Sequence, residues 1–489
     1  MRVKGNLSGS AIRAFDIETP LVSGSARRGA SRLAICAAFL GAMGGFQARA
    51  ETIAGALARA YGYSPDLGQQ RAATRALDEG VPKATAGFRP TVTGTVTGGE
   101  LRLLQTNPQF GSKLTSHENF TVYPRTANLV VTQTLYNGNR AMNGVRQAES
   151  TVLQSRETLR LSELNILNAA AAAYMNVLRD TALLRLTGSN IEVLQQQLKQ
   201  TGDRFNVGEV TRTDVAQAQA ALALGQASAF TARSNLNNSL SIYRQLIGDP
   251  PHDLQPATAV ESLLPKNLDQ AIVIALREHP SVQAALHAVD VARLAVKVAE
   301  GALYPTLSLT GNVGEVMDSS NTPKNNSFTA SVLGNLSIPI YDGGVNYSTI
   351  RAAKETMGQA QMQADLARET VRSGVVSAWG AFLNTKASIA SFQASVRANE
   401  IALAGIREEA KVGQRTTLDV LNAQQALLNA RTSLVSAQRD QVVNSYALLA
   451  AVGQLSATKL GLAVQTYDPT VHYDQVKGKL WGVRTPDGR

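Results

Sequence analysis

Phe205-Asn206-Val207-Gly208-Glu209-Val210-Thr211-Arg212-Thr213-Asp214-Val215 returns further along the chain as Ala410-Lys411-Val412-Gly413-Gln414-Arg415-Thr416-Thr417-Leu418-Asp419-Val420. The offset is 413 − 208 = 205, and it holds without a gap back to the pair Tyr136 and Tyr341. Further upstream Pro65 matches Pro280 and Pro90 matches Pro305, both at an offset of 215. A loop ten residues shorter in the second half, between the matched prolines and the matched tyrosines, accounts for the change. Self-similarity on this scale means a duplicated structural unit, so the fold is read per half.

Outward from each repeated motif lie two helical stretches. About 140–205 and 345–411 contain no proline and few glycines, and each predicts a helix of roughly 100 Å at 1.5 Å per residue. In the second, Ile350, Ala353, Met357, Ala360, Ala364, Ala367, Val371, Gly374 and Ala378 recur at spacings of 3 and 4. The stripe then drifts to Phe382, Ile389, Val396 and Leu403, as on a helix that straightens along its length. Beyond the glycines the chain turns back into helices at about 211–247 and 416–452. Val215, Ala218, Leu222, Gly225, Ala229 and Ala232 form a small-residue seam there, repeated as Val420, Ala423, Leu427, Ala430, Leu434 and Ala437. Helical hairpins are therefore predicted at about 140–247 and 345–452.

Ahead of each hairpin the period changes to two. Thr91–Thr97 alternates, as does Thr306–Thr310, and Phe328, Ala330, Val332, Leu336, Ile338 and Ile340 alternate with Thr329, Ser331, Asn335 and Ser337. Such runs predict strands with one apolar and one polar face, at about 88–101, 119–137, 305–316 and 327–342. Polar loops are expected between them, at about 102–117 and 317–326. One helix should precede each strand pair, at about 51–86 and 267–301. The expected organisation is a first repeat over 51–248, a Pro-containing connector over 249–266, a second repeat over 267–457 and a C-terminal tail over 458–489. The fold class is mainly α with a β portion.

Residues 1–50 read as a signal peptide. Arg27, Arg28 and Arg32 precede the apolar run 33–46, and Ala48-Arg49-Ala50 offers a small-x-small cleavage site before Glu51. The apolar run is shorter than the roughly 20 residues of a membrane span. Cys36, the only cysteine, follows Ile35, which is not the small residue a lipoprotein signal needs. A chain beginning at Glu51 has no thiol for a disulfide, a metal or a nucleophile. The segment 1–50 carries seven Arg and Lys against two acids, so +5 of the formal +10 leaves with it and nucleic acid is not the expected partner. The five histidines are scattered, and no phosphate loop, nucleophile elbow or H-E-x-x-H occurs. No enzyme, cofactor or metal site is expected. Without a later apolar helix, an exported chain with strands of this kind is soluble or enters an outer membrane as a barrel. Four strands are too few to close one, since membrane barrels need at least about eight, so two, three or four copies must pool their strands.

The arrangement resembles the TolC family of outer-membrane efflux and secretion ducts. The resemblance covers about 51–457. It rests on the two tip motifs, on Ile338-Pro339-Ile340-Tyr341-Asp342-Gly343-Gly344, on Leu303-Tyr304-Pro305, and above all on Val412–Leu421. It implies a homotrimer with a 12-stranded β-barrel in outer-membrane lipid and a 12-helix α-barrel in the periplasm. It further implies a periplasmic adaptor (membrane fusion protein) and an inner-membrane RND or ABC transporter as partners, in efflux or type I secretion. By the resemblance Asp419 and Asn422 line the pore constriction. Thr213, Asp214 and Arg415 restrain the gate, and Val207, Gly208, Val412, Gly413 and Thr416 form the adaptor-docking tips. The family often has an acid at the position of Asn422 and in some members a tyrosine at that of Ala410, so this chain keeps one carboxylate per copy and lacks one gate hydroxyl. Physically, Thr211-x-x-Asp214 and Thr416-x-x-Asp419 also read as capping boxes. The rival reading is a periplasmic coiled-coil adaptor, which shares long helices but ordinarily has one hairpin and an inner-membrane anchor.

Overall fold

A computed structural model describes residues 51–108, 115–320 and 325–488; the expected signal peptide lies outside them. Each half opens with short helices: α1 (Ile53–Tyr63), α2 (Pro65–Asp78) and α3 (Gly80–Thr85) in the first, α6 (Leu268–Glu278) and α7 (Pro280–Glu300) in the second. The single helices expected at 51–86 and 267–301 are thus broken. The break shared by the two halves falls at the matched prolines, because Pro65 and Pro280 are first-turn residues of new helices, where a missing N–H goes unnoticed, while the first half breaks once more at Glu79. Ser64 Oγ accepts from Leu67 N at 3.3 Å and His279 Nδ1 from Ser281 N at 3.2 Å, capping α2 and α7 in the same way.

Four strands form one antiparallel sheet in the order β1 (Thr91–Gly98), β4 (Arg125–Asn137), β5 (Thr306–Met317), β6 (Asn326–Ser337). The segment expected as a polar loop at 102–117 is instead largely a second sheet, the hairpin of β2 (Leu101–Pro108) and β3 (Thr115–Val122). Six strands are therefore present among the described residues. The last strand ends at Ser337 rather than near 342, since Pro339 has no N–H to give the ladder. Across the larger sheet the register places Val92, Leu129, Val313, Ala330 and Phe328 on one face with Val96, Val131, Val332 and Leu336. Thr93, Thr95, Asn128, Thr132, Thr310, Asn312, Thr329 and Ser331 share the other.

From the sheet the chain turns sharply into the long helices α4 (Arg140–Asn206) and α8 (Val345–Lys411), each of 67 residues. Both turns use two successive left-handed residues, Gly138-Asn139 and Gly343-Gly344. Asn137 Oδ1 and Asp342 Oδ2 accept from Ala141 N and Asn346 N, at 3.3 and 2.7 Å, and fix the entry. At Gly138 no side chain is possible: a Cβ would stand 2.2 Å from Gly301 O, where the end of α7 meets the turn. The chain returns along α5 (Arg212–Ile247) and α9 (Thr417–Ala451).

The core lies where the short helices meet the middle of the long ones. Leu57, Ala60, Leu167, Ala170, Tyr174, Tyr243, Leu449 and Leu455 are buried in one cluster. A second joins Ala275, Val282, Val375, Phe382, Leu448 and Val452, so α9 serves both halves. The connector is tied in at Glu51: its N–H donates to Asp253 O at 3.1 Å, and its carboxylate binds Arg59 and the Tyr243 hydroxyl. The tail is not featureless, for it folds as α10 (Pro469–Val476) against α2.

Candidate functional site

The two hairpin tips are built alike. Gly208 and Gly413 have φ of 77° and 80°, the left-handed conformation that ends a helix without a Cβ penalty. Glu209 N donates to Arg204 O and Gln414 N to Glu409 O, both at 2.9 Å. Gly208 N reaches Phe205 O at 2.9 Å and Gly413 N reaches Ala410 O at 3.3 Å. These are paired Schellman bonds, satisfying the last carbonyls of α4 and α8. Val207 and Val412 sit at the turns with their side chains exposed.

Reciprocal capping boxes then restart the chain. Thr211 Oγ1 accepts from Asp214 N at 3.3 Å while Asp214 Oδ2 accepts from Thr211 N at 2.9 Å. Thr416 and Asp419 repeat this at 3.2 and 3.0 Å. The Thr416 backbone and hydroxyl donors hold the Asp419 carboxyl below its ordinary pKa; for Asp214 the Thr211 hydroxyl is the leading cause. Sequence reasoning missed an ion pair across each turn. In the first tip Arg204 on the helix meets Glu209 in the turn at 3.0 Å; in the second Glu409 on the helix meets Arg415 in the turn at 2.8 Å. The polarity is reversed between halves. Arg415 is therefore engaged within its own hairpin, and Thr213 is exposed on α5.

Along the first turns of α9, Thr417, Val420, Leu421 and Gln424 are buried, whereas Asn422 is exposed and Asp419 half-exposed. Asp419 and Asn422, three residues apart, share a helix face. Gln424 is buried with both amide atoms unpartnered within the single chain. Among the described residues, no group of three or more His, Cys, Asp or Glu is placed to hold a metal, and no helix is long and apolar enough to cross a membrane.

A two-faced sheet joined to duplicated helical hairpins with capped, exposed tips defines the class of outer-membrane channel proteins. The chain belongs to the outer membrane efflux protein family, whose pattern matches residues 56–249 and 271–454. It is 39% identical over 447 residues to the outer membrane efflux protein BepC of Brucella suis biovar 1 (strain 1330), covering 91% of this chain and 94% of that one. The outer membrane protein TolC of Escherichia coli (strain K12) is 28% identical over 352 residues, 68% of this chain and 70% of TolC. In fold it resembles the CmeC outer membrane channel of Campylobacter jejuni, with a TM-score of 0.74 at 19% identity over 87% of this chain and 89% of that one. The protein resides in the outer membrane, where its relatives are efflux and secretion channels.

Proposed function

We propose that three copies form one exit duct, with twelve strands closing a barrel in the outer membrane and twelve helices a tunnel in the periplasm. An inner-membrane RND or ABC transporter would load it through a periplasmic adaptor, for efflux or type I secretion. The observation that carries this reading is the open sheet. β1 and β6 are its two edges, and unpaired edges in hydrocarbon cost several kcal/mol per backbone group. Because β1 and β6 run in opposite directions, β6 of one copy can pair antiparallel with β1 of the next. Such head-to-tail pairing closes a ring with four strands per copy. Two, three or four copies would all satisfy that rule; the resemblance to the TolC family supports three. Strands of 12 and 13 residues in β4, β5 and β6 are long enough for the 9–11 or so that a tilted membrane strand needs.

Cysteine pairs scanned along β1 and β6 test it, since Cys36 is the only native thiol and precedes Glu51. Oxidation of the membrane-embedded protein should give covalent dimers and a closed trimer. A ladder reaching four copies, or monomers at every register, rejects three-fold closure.

Three-fold closure would bring three copies of the Asp419 and Asn422 face around the axis as the pore constriction. Thr213, Asp214 and Arg415 would then restrain the gate, with Arg415 released from Glu409. The tips at Val207, Gly208, Val412, Gly413 and Thr416 would receive the adaptor. Gly413→Pro should abolish export and spare membrane insertion, because proline can neither adopt φ near 80° nor supply the N–H bonded to Ala410 O. Unchanged export by that variant would place docking elsewhere.

A further inference from the structure

Every strand of the large sheet carries an aromatic ring at its base: Phe88 before β1, Tyr136 near the end of β4, Tyr304 before β5 and Tyr341 after β6. All four are exposed. Aromatic rings gathered at one end of the strands are what a membrane barrel sets near the lipid–water boundary.

The C-terminal segment climbs to that same end. It is tied to the core where Ala457 N donates to Glu163 Oε1 at 2.8 Å, and Leu460, Leu462 and Val464 pack against the same cluster. Tyr467 N then donates to the Tyr61 hydroxyl at 3.0 Å, His472 Nδ1 lies 2.9 Å from buried Asp78 Oδ2, and the Arg156 guanidinium lies over the Tyr473 ring. Val476 is fully buried. Finally Arg89, two residues before β1, donates from Nη1 to Lys479 O at 3.1 Å. The next residues are therefore delivered to the foot of the sheet, where Arg89 precedes β1. There the burial stops. Leu480, Trp481 and Val483 are 64%, 84% and 100% exposed. They are presented by a turn in which Gly482 has φ 105° and Lys479 Nζ donates to Arg484 O at 2.5 Å.

We propose that Leu480-Trp481-Gly482-Val483 is an interfacial anchor that inserts into the inner leaflet of the outer membrane. Trp481 extends the aromatic girdle, and the flanking Lys479 and Arg484 meet anionic phospholipid headgroups. The inference rests on the outer-membrane reading of the sheet. Two features select lipid as the occupant. Apolar side chains bracketed by cations suit an anionic interface, where amphipathic rings settle with polar neighbours in the headgroups. The segment is also continuous, through Arg89, with the level of the strand bases. Held at both ends, the tail would act as a strap that fixes the height of α2 and of the helices packed on it relative to the bilayer.

The chain has two tryptophans, Trp379 and Trp481, so Trp379→Phe leaves Trp481 as the sole reporter. The full-length variant is reconstituted into phosphatidylglycerol-containing vesicles whose phospholipids carry bromine either near the headgroup or deep in the acyl chain. Trp481 emission should shift to the blue relative to detergent and be lost most strongly with shallow bromines. Quenching by aqueous acrylamide without loss to bromolipid overturns the anchor, as does protection from both, which would mean that a neighbouring copy covers the segment. Val332→Trp, made with Trp379→Phe and Trp481→Phe, places the reporter at mid-strand on the apolar face. Its quenching by deep bromines, with Trp481 unquenched, rejects the anchor alone; its failure to be quenched removes the membrane reading and the anchor together.

Discussion

Asp419 has a structural use before any other. Its Oδ2 closes the capping box of α9, and the Thr416 donors keep the group ionised. A carboxyl whose folded pKa is lowered stabilises above its ordinary value of 3.8, and that contribution disappears only as pH falls through the still lower folded value. The tips therefore keep their caps from pH 5 to 8, and mild acid should not open them. A charge held so firmly can nonetheless serve a constriction ring, and the two uses separate by substitution. Asparagine at 419 can still accept from Thr416 N but carries no charge. We expect divalent cations on the tip side to block wild-type channels in part and Asp419→Asn channels not at all, with similar melting of the two proteins. Equal block in single-channel recordings would leave Asp419 a helix cap and nothing more. The boxes were legible as Thr-x-x-Asp because the cap is local chemistry. The turn ion pairs were not, since Arg204 to Glu209 and Glu409 to Arg415 span five and six residues around a turn, on no helical or strand period.

At the scale of elements, long helices and apolar strands could be read from periodicity, and the seam residues Val420, Leu427, Ala430 and Ala437 are indeed buried. The helix breaks common to both halves were hidden in plain sight at the prolines that revealed the duplication. The β2–β3 hairpin escaped because Gln105, Thr106 and Asn107 face Glu118, His117 and Ser116. Toward its tip the ladder pairs polar residues with polar residues, so no alternation is left to read there. The break before α7 also carries a pH response. His279 is buried, which pushes its pKa down to about 4. Between 6.5 and 4 the unfolded chain takes up a proton that the folded chain refuses, so stability falls as pH falls, by about 3 kcal/mol per copy across that window. Asparagine would keep the N-cap acceptor without titrating. The melting temperature of wild type should therefore drop on going from pH 7 to 5, and that of His279→Asn should drop less. Parallel slopes would assign the acid response to other groups.

For the whole molecule the decisive property is that one sheet has two unlike faces and two open edges. Neither half alone makes it: β4 of the first repeat pairs with β5 of the second, so the duplication is fused through the sheet as well as through α9. Sequence alternation exposed the faces, but the number of copies could not be read, because any ring of these four strands closes with every pair antiparallel. The faces themselves can be tested at neighbouring residues. Val332 pairs with Gly311 and Ser331 with Asn312, both near the middle of β5 and on opposite faces. If the apolar face meets lipid, Val332→Lys places an ammonium near the bilayer midplane, at a cost of about 2–4 kcal/mol in each copy. Repeated around a ring of three, that penalty should prevent insertion. Ser331→Lys would instead point into the lumen, where water solvates the charge. It should insert as wild type does and shift conductance toward anions. Folding into vesicles, followed by ion selectivity in planar bilayers, measures both. Equal insertion of the two variants would mean that lipid does not distinguish the faces, and the sheet would no longer be the wall of a barrel.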